Sequence, residues 1–405
     1  MLKEWIVKRK ARKGKKLSSE EVRIIFRCGS DNLICYYLRF HSLPEEVHLE
    51  LLSKSDALIK TYICYRTLSA EAELELFKRS KELAKYYMNK HQLTLAVQKE
   101  LLKPENQDLL AEFVKHHAFD DDDLVIKFIQ EAPDVIVIDY VKEHELSEEA
   151  FEILLDRSVC LAEVYAENFW LEDNSVKLYL EKADADQIMS FVDDSIECGI
   201  SQAGEIALVR TGNVEAIKKY IQHFHLGDCD EYLHRPQEMA LFELGNKELL
   251  LLYVSLHMPC EKFIAELFKS GDRDVIMALV SAQTLSADEE DMLFDLGIEF
   301  VQAYVEHDSL STAPEKKMAM AYPAEFVKAY VEKYELTNDA EEDLIRRGDV
   351  ELIKFYIDRY ALGFGAQKIL VKTLNKELIA YYDKQQGFDD EVWKLIAQTF
   401  FLNNL

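Results

Sequence analysis

The chain is built from a unit of about 26 residues that recurs along almost its whole length. Residues 338–362 (NDAEEDLIRRGDVELIKFYIDRYAL), 261–285 (EKFIAELFKSGDRDVIMALVSAQTL) and 18–43 (SSEEVRIIFRCGSDNLICYYLRFHSL) align with one another. With the last residue of each unit taken as an anchor, fourteen anchors stand at 43, 68, 93, 119, 146, 171, 197, 226, 259, 285, 310, 336, 362 and 388. A period of this length is typical of chains that stack one supersecondary unit many times.

Positions within the unit predict two helices. The residue six positions before the anchor is Tyr in eleven of the fourteen units, and apolar pairs such as Leu352/Ile353 precede it by three and four positions. With the apolar residue that usually follows the Tyr, this spacing marks one face of a helix. A Gly fourteen positions before the anchor ends an earlier helix in five units, and a short polar residue after it caps the next. These glycines are Gly29, Gly212, Gly245, Gly271 and Gly348.

The unit therefore consists of helix A, a tight turn and helix B. One such pair cannot bury its apolar face alone, whereas stacked pairs can. The sequence predicts an all-α fold, a right-handed α-solenoid of about 14 antiparallel helix pairs plus a terminal helix from 389–405. We divide the chain into a basic tail (1–17), N-terminal repeats (18–171), irregular central repeats with insertions (172–260) and C-terminal repeats with the end helix (261–405).

Two stretches resemble a known repeat family. Gly348–Tyr356 (GDVELIKFY) and Gly212–Tyr220 (GNVEAIKKY) are similar to the turn and second helix of an ankyrin repeat. The unit is shorter than the roughly 33 residues of that family and has no TPLH-like segment, so we expect no β-hairpin. What remains also resembles short HEAT-type pairs. Over residues 18–388 the resemblance implies a scaffold that binds other macromolecules, usually proteins, on a concave surface and carries no catalytic residue.

The charge of the chain is acidic but uneven. Lys and Arg number 48 and Asp and Glu 75, for a net charge of −27, which disfavours a nucleic-acid binder and favours a basic partner. Residues 1–17 nevertheless contain eight basic residues and one acid. Two interpretations of this tail stay open: an arm that contacts nucleic acid or anionic lipid, with Trp5–Val7 as an apolar foothold, or a capping helix on the first repeat. The arm residues are Lys8, Arg9, Lys10, Arg12, Lys13, Lys15 and Lys16.

The tyrosine column has two interpretations. As an aromatic ladder along a groove it would bind a partner, and the candidate residues are Tyr220, Tyr253, Tyr304, Tyr330, Tyr356 and Tyr382. Alternatively each Tyr fills the space between successive pairs, with its hydroxyl at the rim. A column of His two positions before the anchor cannot chelate one ion, because stacked repeats lie roughly 9–10 Å apart. Asp120–Asp123 lacks the other ligands of a calcium loop and is interpreted as a helix cap. We therefore expect neither a metal nor a cofactor.

No catalytic motif is found, since the chain contains no G-x-S-x-G, HExxH, P-loop or G-x-G-x-x-G pattern. Its seven separated cysteines and its longest uncharged apolar stretch, the twelve residues Leu249–Cys260, favour a cytoplasmic protein without a membrane span. The expected function is a non-catalytic scaffold that binds a protein or peptide, preferably basic, along an acidic concave surface. The alternatives are an acidic nucleic-acid mimic that acts as an inhibitor or immunity factor, and a HEAT-like enzyme or nucleic-acid-binding protein.

Overall fold

The computed structural model describes residues 2–227 and 234–402, with side chains described up to residue 399. Over these residues the chain forms thirty α-helices and two short 3₁₀ turns, Glu45–Val47 and Pro104–Asn106, and no strand. The chain divides into two compact units, Met1–Glu197 and Cys198–Leu405.

The helices of unit 1 are α1 (Leu2–Arg12), α2 (Ser19–Cys28), α3 (Asp31–Phe40), α4 (His48–Leu52), α5 (Asp56–Ile63), α6 (Ala70–Arg79), α7 (Lys81–Met88), α8 (Leu95–Leu101), α9 (Gln107–Phe113), α10 (Asp122–Glu131), α11 (Asp134–Val141), α12 (Glu148–Arg157), α13 (Val159–Ala166), α14 (Asp173–Lys182) and α15 (Ala185–Ser195). Those of unit 2 are α16 (Gln202–Thr211), α17 (Val214–His223), α18 (Pro236–Leu244), α19 (Lys247–Leu256), α20 (Glu261–Ser270), α21 (Arg273–Ala282), α22 (Ala287–Leu296), α23 (Ile298–Tyr304), α24 (Thr312–Ala321), α25 (Ala324–Val331), α26 (Asn338–Arg347), α27 (Val350–Ile357), α28 (Phe364–Lys372), α29 (Lys376–Gln385) and α30 (Asp390–Leu402).

Within each unit the helices form two layers. Even-numbered helices are the A helices and odd-numbered ones the B helices, and most pack on the neighbour of the same layer one repeat away. Each unit contains seven A–B pairs, and α30 packs on α28 as the next A helix would. The predicted all-α, solenoid-like fold of fourteen pairs plus a terminal helix is confirmed.

The predicted glycine turns are confirmed at four positions and differ at one. Gly212, Gly245, Gly271 and Gly348 end their A helices with φ between 66° and 78°, in the left-handed conformation. Gly29 instead ends α2 in an extended conformation with φ of −78°. An ideal Cβ at this position would lie 2.6 Å from the carbonyl oxygen of Ile25, but Ala132 and Tyr322 end their A helices in the same conformation, so the backbone angle does not require glycine here.

The basic tail is the B helix of a half repeat. Helix α1 packs on α2 and α3 with Val7 and Ala11 buried. Leu17 lies one repeat length before Leu43, and its amide donates to the hydroxyl of Tyr37 at 3.0 Å, as the anchors of later repeats do. Helix α1 thus lies on the first repeat, as the capping interpretation predicts, and contact of its basic residues with nucleic acid or lipid stays a prediction.

The register of the central repeats differs from the one aligned by sequence. The proposed anchor Glu197 is exposed, and the amide of Ile200 donates to the hydroxyl of Tyr220 at 3.2 Å. Ile200 is therefore the anchor, and the extra residues lie in α15 and the turn after it. The second insertion, GDCDEYLHRP at 227–236, lies mostly outside the described residues, because 228–233 are not described.

Candidate functional site

The tyrosine column lies inside the protein. The six candidate partner-binding tyrosines are each at most 1% exposed. The hydroxyl is buried as well: that of Tyr330 accepts a hydrogen bond from the amide of Leu310, an anchor of the preceding repeat, at 3.1 Å. These rings are enclosed, although Tyr330 also lines a groove between α23 and α25, and the structure matches the space-filling interpretation, with the hydroxyl placed deeper than at the rim.

Five of these hydroxyls meet a buried glutamate that sequence reasoning missed. Tyr330 donates to Oε1 of Glu315 at 2.9 Å, and Oε2 of Glu315 accepts from the amide of Thr337 at 2.8 Å. Five repeats of unit 2 share this arrangement with glutamates that are at most 5% exposed. We call them the buried glutamate column; its members are Glu205, Glu238, Glu290, Glu315 and Glu341.

The glutamate column joins each A helix to the loop after its own B helix and, through the tyrosine, to the preceding repeat. Burial raises the pKa of Glu290 and Glu341, and it raises the pKa of Glu205 to about 7. The signal in the sequence is a Glu 14 or 15 positions before the column tyrosine. Since these carboxyl groups are enclosed and hydrogen-bonded, we assign them a structural role.

The histidine column is structural too. Nε2 of His117 lies 2.9 Å from the carbonyl oxygen of Met88, and Nε2 of His144 lies 3.1 Å from that of Val114. Each of these two imidazoles thus satisfies a carbonyl at the end of the preceding B helix, where such groups lack helical partners. Among the described residues, no group of three or more His, Cys, Asp or Glu side chains is arranged to hold a metal ion.

An exposed row of acids runs along the B helices of unit 2. The residue eleven positions before the anchor is acidic in all seven repeats of the unit, and it lies in the first turn of its helix. There a carboxylate is stabilised by the helix dipole. We call this row the acidic ridge; its members are Glu215, Glu248, Asp274, Glu299, Glu325, Glu351 and Glu377.

Ion pairs connect members of the ridge across repeats. Lys218 reaches Glu248 at 2.7 Å, and Lys247 reaches Asp274 at 2.6 Å. Farther along, Lys354 lies between two ridge carboxylates, 3.5 Å from one and 2.6 Å from the other. Ion pairs as exposed as these contribute between about 0 and 1 kcal/mol each. A partner's cations can therefore replace them at small cost.

The ridge borders a groove between α23 and α25. The groove has a volume of about 560 Å³. Its floor is apolar and includes Ile298, which is 39% exposed, and the half-buried Phe326. Its rim carries Glu306, Glu325 and Glu332, which form exposed ion pairs with Lys333, Lys328 and Arg359 respectively. The groove thus combines an apolar floor with a mainly acidic rim.

The groove arises because the two layers are spaced differently here. The A helices of the same two repeats, α22 and α24, pack on each other. Helices α23 and α25 contact each other much less. Because the A helices approach each other more closely than the B helices do, a wedge-shaped groove opens between α23 and α25. The surrounding sequence is strongly acidic, since residues 274–315 contain ten acids and neither Lys nor Arg.

Unit 1 contains a smaller pocket of similar chemistry. It has a volume of about 300 Å³ and is lined by Glu145, Glu148, Glu172 and Trp170. The indole of Trp170 is accessible to solvent, since this residue is 64% exposed. A hydrogen bond with Glu172 raises the pKa of the Glu148 carboxyl. Carboxylates beside an exposed indole suit a cationic side chain.

The basic-arm residues mostly face solvent. Lys10 pairs with Glu21 at 2.5 Å, and Lys8 is half-buried, while the other five are exposed. Arg9, Lys10, Lys13 and Lys15 line a shallow pocket beside Trp5. The structure therefore brings four of the seven together at one surface.

None of the family models, curated proteins or solved structures with which the chain was compared matches it. The structure supports a helical repeat, and the ankyrin-like or HEAT-like assignment stays a prediction. Among the described residues, none of the helices combines the length and the apolar character that crossing a membrane requires.

Proposed function

We propose that the protein is a non-catalytic repeat scaffold that binds a basic protein or peptide segment on the B layer of unit 2. The observation that carries this proposal is the groove between α23 and α25, with its apolar floor and acidic rim beside the ridge. Exposed apolar surface enclosed by polar residues is characteristic of interaction sites.

The geometry defines the chemistry of the partner segment. One or two apolar side chains enter the groove over Ile298 and Phe326, and flanking Lys or Arg side chains pair with Glu306, Glu325 and Glu332. Burial of apolar surface contributes about 25 cal/mol per Å² to the free energy of binding. The carboxylates orient the partner segment and increase its association rate. An amphipathic basic helix or an extended basic strand both meet these requirements.

The cations interleaved along the ridge argue against the nucleic-acid-mimic alternative. Such a mimic needs an unbroken row of carboxylates like the phosphates of a strand. Lys247 and Arg273 instead stand next to ridge acids and pair with the following ones, Asp274 and Glu299. The ridge is therefore a mixed-charge surface with an acidic excess, which suits a protein partner better.

The first experiment uses a defined probe. A fluorescein-labelled peptide of about 16 residues, with Leu at helical spacing and Lys elsewhere, is titrated with the full chain and followed by fluorescence anisotropy. We expect saturable binding that weakens at least tenfold between about 50 and 500 mM NaCl, because exposed charges are screened. A peptide with Glu in place of Lys should not bind.

Charge reversal locates the site. The variant E306K/E325K/E332K should weaken binding of the basic peptide at least tenfold. Its matched control is E243K/E266K/D295K, which makes the same change of net charge on A helices of the same unit. Equal weakening in both variants would show a non-specific effect of net charge. Salt-independent binding, or binding unaffected by the first variant, would refute the proposal.

A further inference from the structure

Helix α1 has a second apolar face, which points to solvent. Val7 and Ala11 are buried on the inner face against α2 and α3. On the outer face Leu2 is 75% exposed, Trp5 58% and Ile6 42%. These three follow helical spacing, so they form one continuous surface.

The stacking of repeats does not require apolar residues there. Ile6 stands eleven positions before the anchor Leu17, the position that is Glu or Asp in nine of the other repeats. The ridge acids Glu325 and Glu351 show that a polar residue at this position is exposed and compatible with the fold. Val135 is exposed at this position too, so the observation that points to a role outside the fold is the grouping of Leu2, Trp5 and Ile6 on one face.

The same face is strongly basic. The guanidinium of Arg9 lies 5.3 Å from the ring centre of Trp5. A pocket of about 170 Å³, large enough for a phosphate group, is lined by Trp5, Ile6, Arg9 and three lysines. One of these, Lys10, is held by Glu21, which leaves Arg9, Lys13 and Lys15 as the cations directed to the outside.

We propose that α1 docks the protein on an anionic phospholipid surface. Leu2, Trp5 and Ile6 enter the interfacial region, where Trp is the preferred aromatic anchor, while the cations around the pocket contact lipid phosphates. Each basic residue near an anionic bilayer contributes about 1 kcal/mol, which corresponds to roughly a fivefold change in partitioning. A nucleic acid fits less well, because a phosphate backbone offers no apolar partner to three exposed side chains.

The test uses the full chain and the three tryptophans that it contains. In the variant W170F/W393F, Trp5 is the one remaining tryptophan, and excitation at the red edge of the absorption band selects it over the 20 tyrosines. Vesicles of phosphatidylcholine with about 30% phosphatidylserine should shift its emission to the blue, and lipids brominated on the acyl chain should quench it. Pure phosphatidylcholine vesicles should bind at least tenfold more weakly.

Variants of the outer face provide the second measurement, by vesicle flotation. W5A/I6A and R9E/K13E should each reduce partitioning at least tenfold. The matched controls W170A and K142E/K384E remove an equally exposed indole and an equal positive charge elsewhere, and they should bind like the wild type. All changes are at exposed positions, and circular dichroism confirms that each variant is folded.

Three outcomes would overturn the proposal. The first is wild-type flotation of W5A/I6A, and the second is vesicle binding without a change in Trp5 emission. The third is binding of duplex DNA that depends on Arg9 and Lys13 when anionic vesicles are not bound. None of these measurements involves unit 2. If the lipid proposal is overturned, the proposed function therefore stands unaffected.

Discussion

The substitution Glu205→Gln tests the buried glutamate column through pH. Glu205 is 5% exposed and accepts hydrogen bonds from the hydroxyl of Tyr220 at 2.8 Å and the amide of Gly227 at 2.9 Å. Burial raises the pKa of its carboxyl from 4.5 to about 7. Near neutral pH, the folded chain therefore holds a proton that the unfolded chain has released.

The raised pKa makes this carboxyl stabilising in acid. A carboxyl whose pKa is raised in the folded state contributes its full stability below the ordinary pKa of 4.5, and this contribution is lost as pH rises through about 7. Since one pKa unit corresponds to roughly 1.4 kcal/mol, the loss between pH of about 5 and about 8 is about 2.5 kcal/mol.

The chain itself shows that Gln fits at this position. Gln98 and Gln367 take the place of the column glutamate in two other repeats. The side-chain oxygen of Gln98 accepts from the amide of Asp120 at 3.1 Å, and its Nε2 donates to the carbonyl of Leu93 at 3.0 Å. In the Gln variant of Glu205 the equivalent partners are the amide of Gly227 and the carbonyl of Ile200. The neutral amide thus keeps the bond to Gly227 and cannot titrate, and the hydroxyl of Tyr220 can donate to the same carbonyl, as Tyr382 does beside Gln367.

The assay is native-state hydrogen exchange of the segment 200–227, measured at pH values of about 5 to 8. A local measure is needed because stacked repeats open in parts. Relative to the wild type, the Gln variant of Glu205 should gain about 2.5 kcal/mol of opening free energy over this range. The control E243Q removes one exposed acid from the neighbouring helix α18 and reports the general effect of net charge. If both variants show the same pH dependence, Glu205 does not hold a proton and the reasoning is refuted.

Three further predictions concern stability. Tyr330→Phe removes the hydroxyl that bonds Glu315 and should cost about 1–3 kcal/mol in urea unfolding; an unchanged midpoint would contradict the role of the column. Gly271 has φ of 70° and open space where a Cβ would lie, so Gly271→Ala should cost only the backbone strain of about 1–2 kcal/mol, seen as a lower Tm. His257 hydrogen-bonds the carbonyl of Ile221, and Gln283 makes the equivalent bond to Val254 at 2.9 Å in the next repeat. His257→Gln should therefore leave the free energy of unfolding nearly unchanged, whereas His257→Ala should lower it by about 1 kcal/mol. Equal losses of stability in both variants would show that the bond does not contribute.

The fold was predictable because its signals recur. The same apolar pair, Tyr and anchor appear in almost every unit, so an error at one position, such as Glu197 for Ile200, does not change the number of helix pairs. Such an error does shift the local register. The extra turn near α15 makes both alignments possible in the sequence, and the exposure of Glu197 together with the hydrogen bond from Ile200 to Tyr220 distinguishes them.

The candidate site was less predictable, for two physical reasons. A Glu on a helix is ordinarily exposed, so the column of Glu205 to Glu341 looks like a solvated face until packing shows it enclosed. The groove depends on the spacing of two layers, which is a property of several helices together. In the tail, the many Lys and Arg residues made the repeat pattern hard to recognise, although Val7, Ala11 and Leu17 occupy the core positions of a B helix and its anchor.

The net charge of −27 is therefore a poor guide to function until it is divided by location. Five of the acids form the buried column, and the raised pKa of Glu205 keeps part of their formal charge off the protein at neutral pH. The ridge acids lie at helix N-termini, where a carboxylate also stabilises the fold. Neither set needs a partner to account for it. A basic partner is instead supported by residues that belong to neither set: the exposed Ile298, the half-buried Phe326 and the rim carboxylates Glu306 and Glu332 beside them.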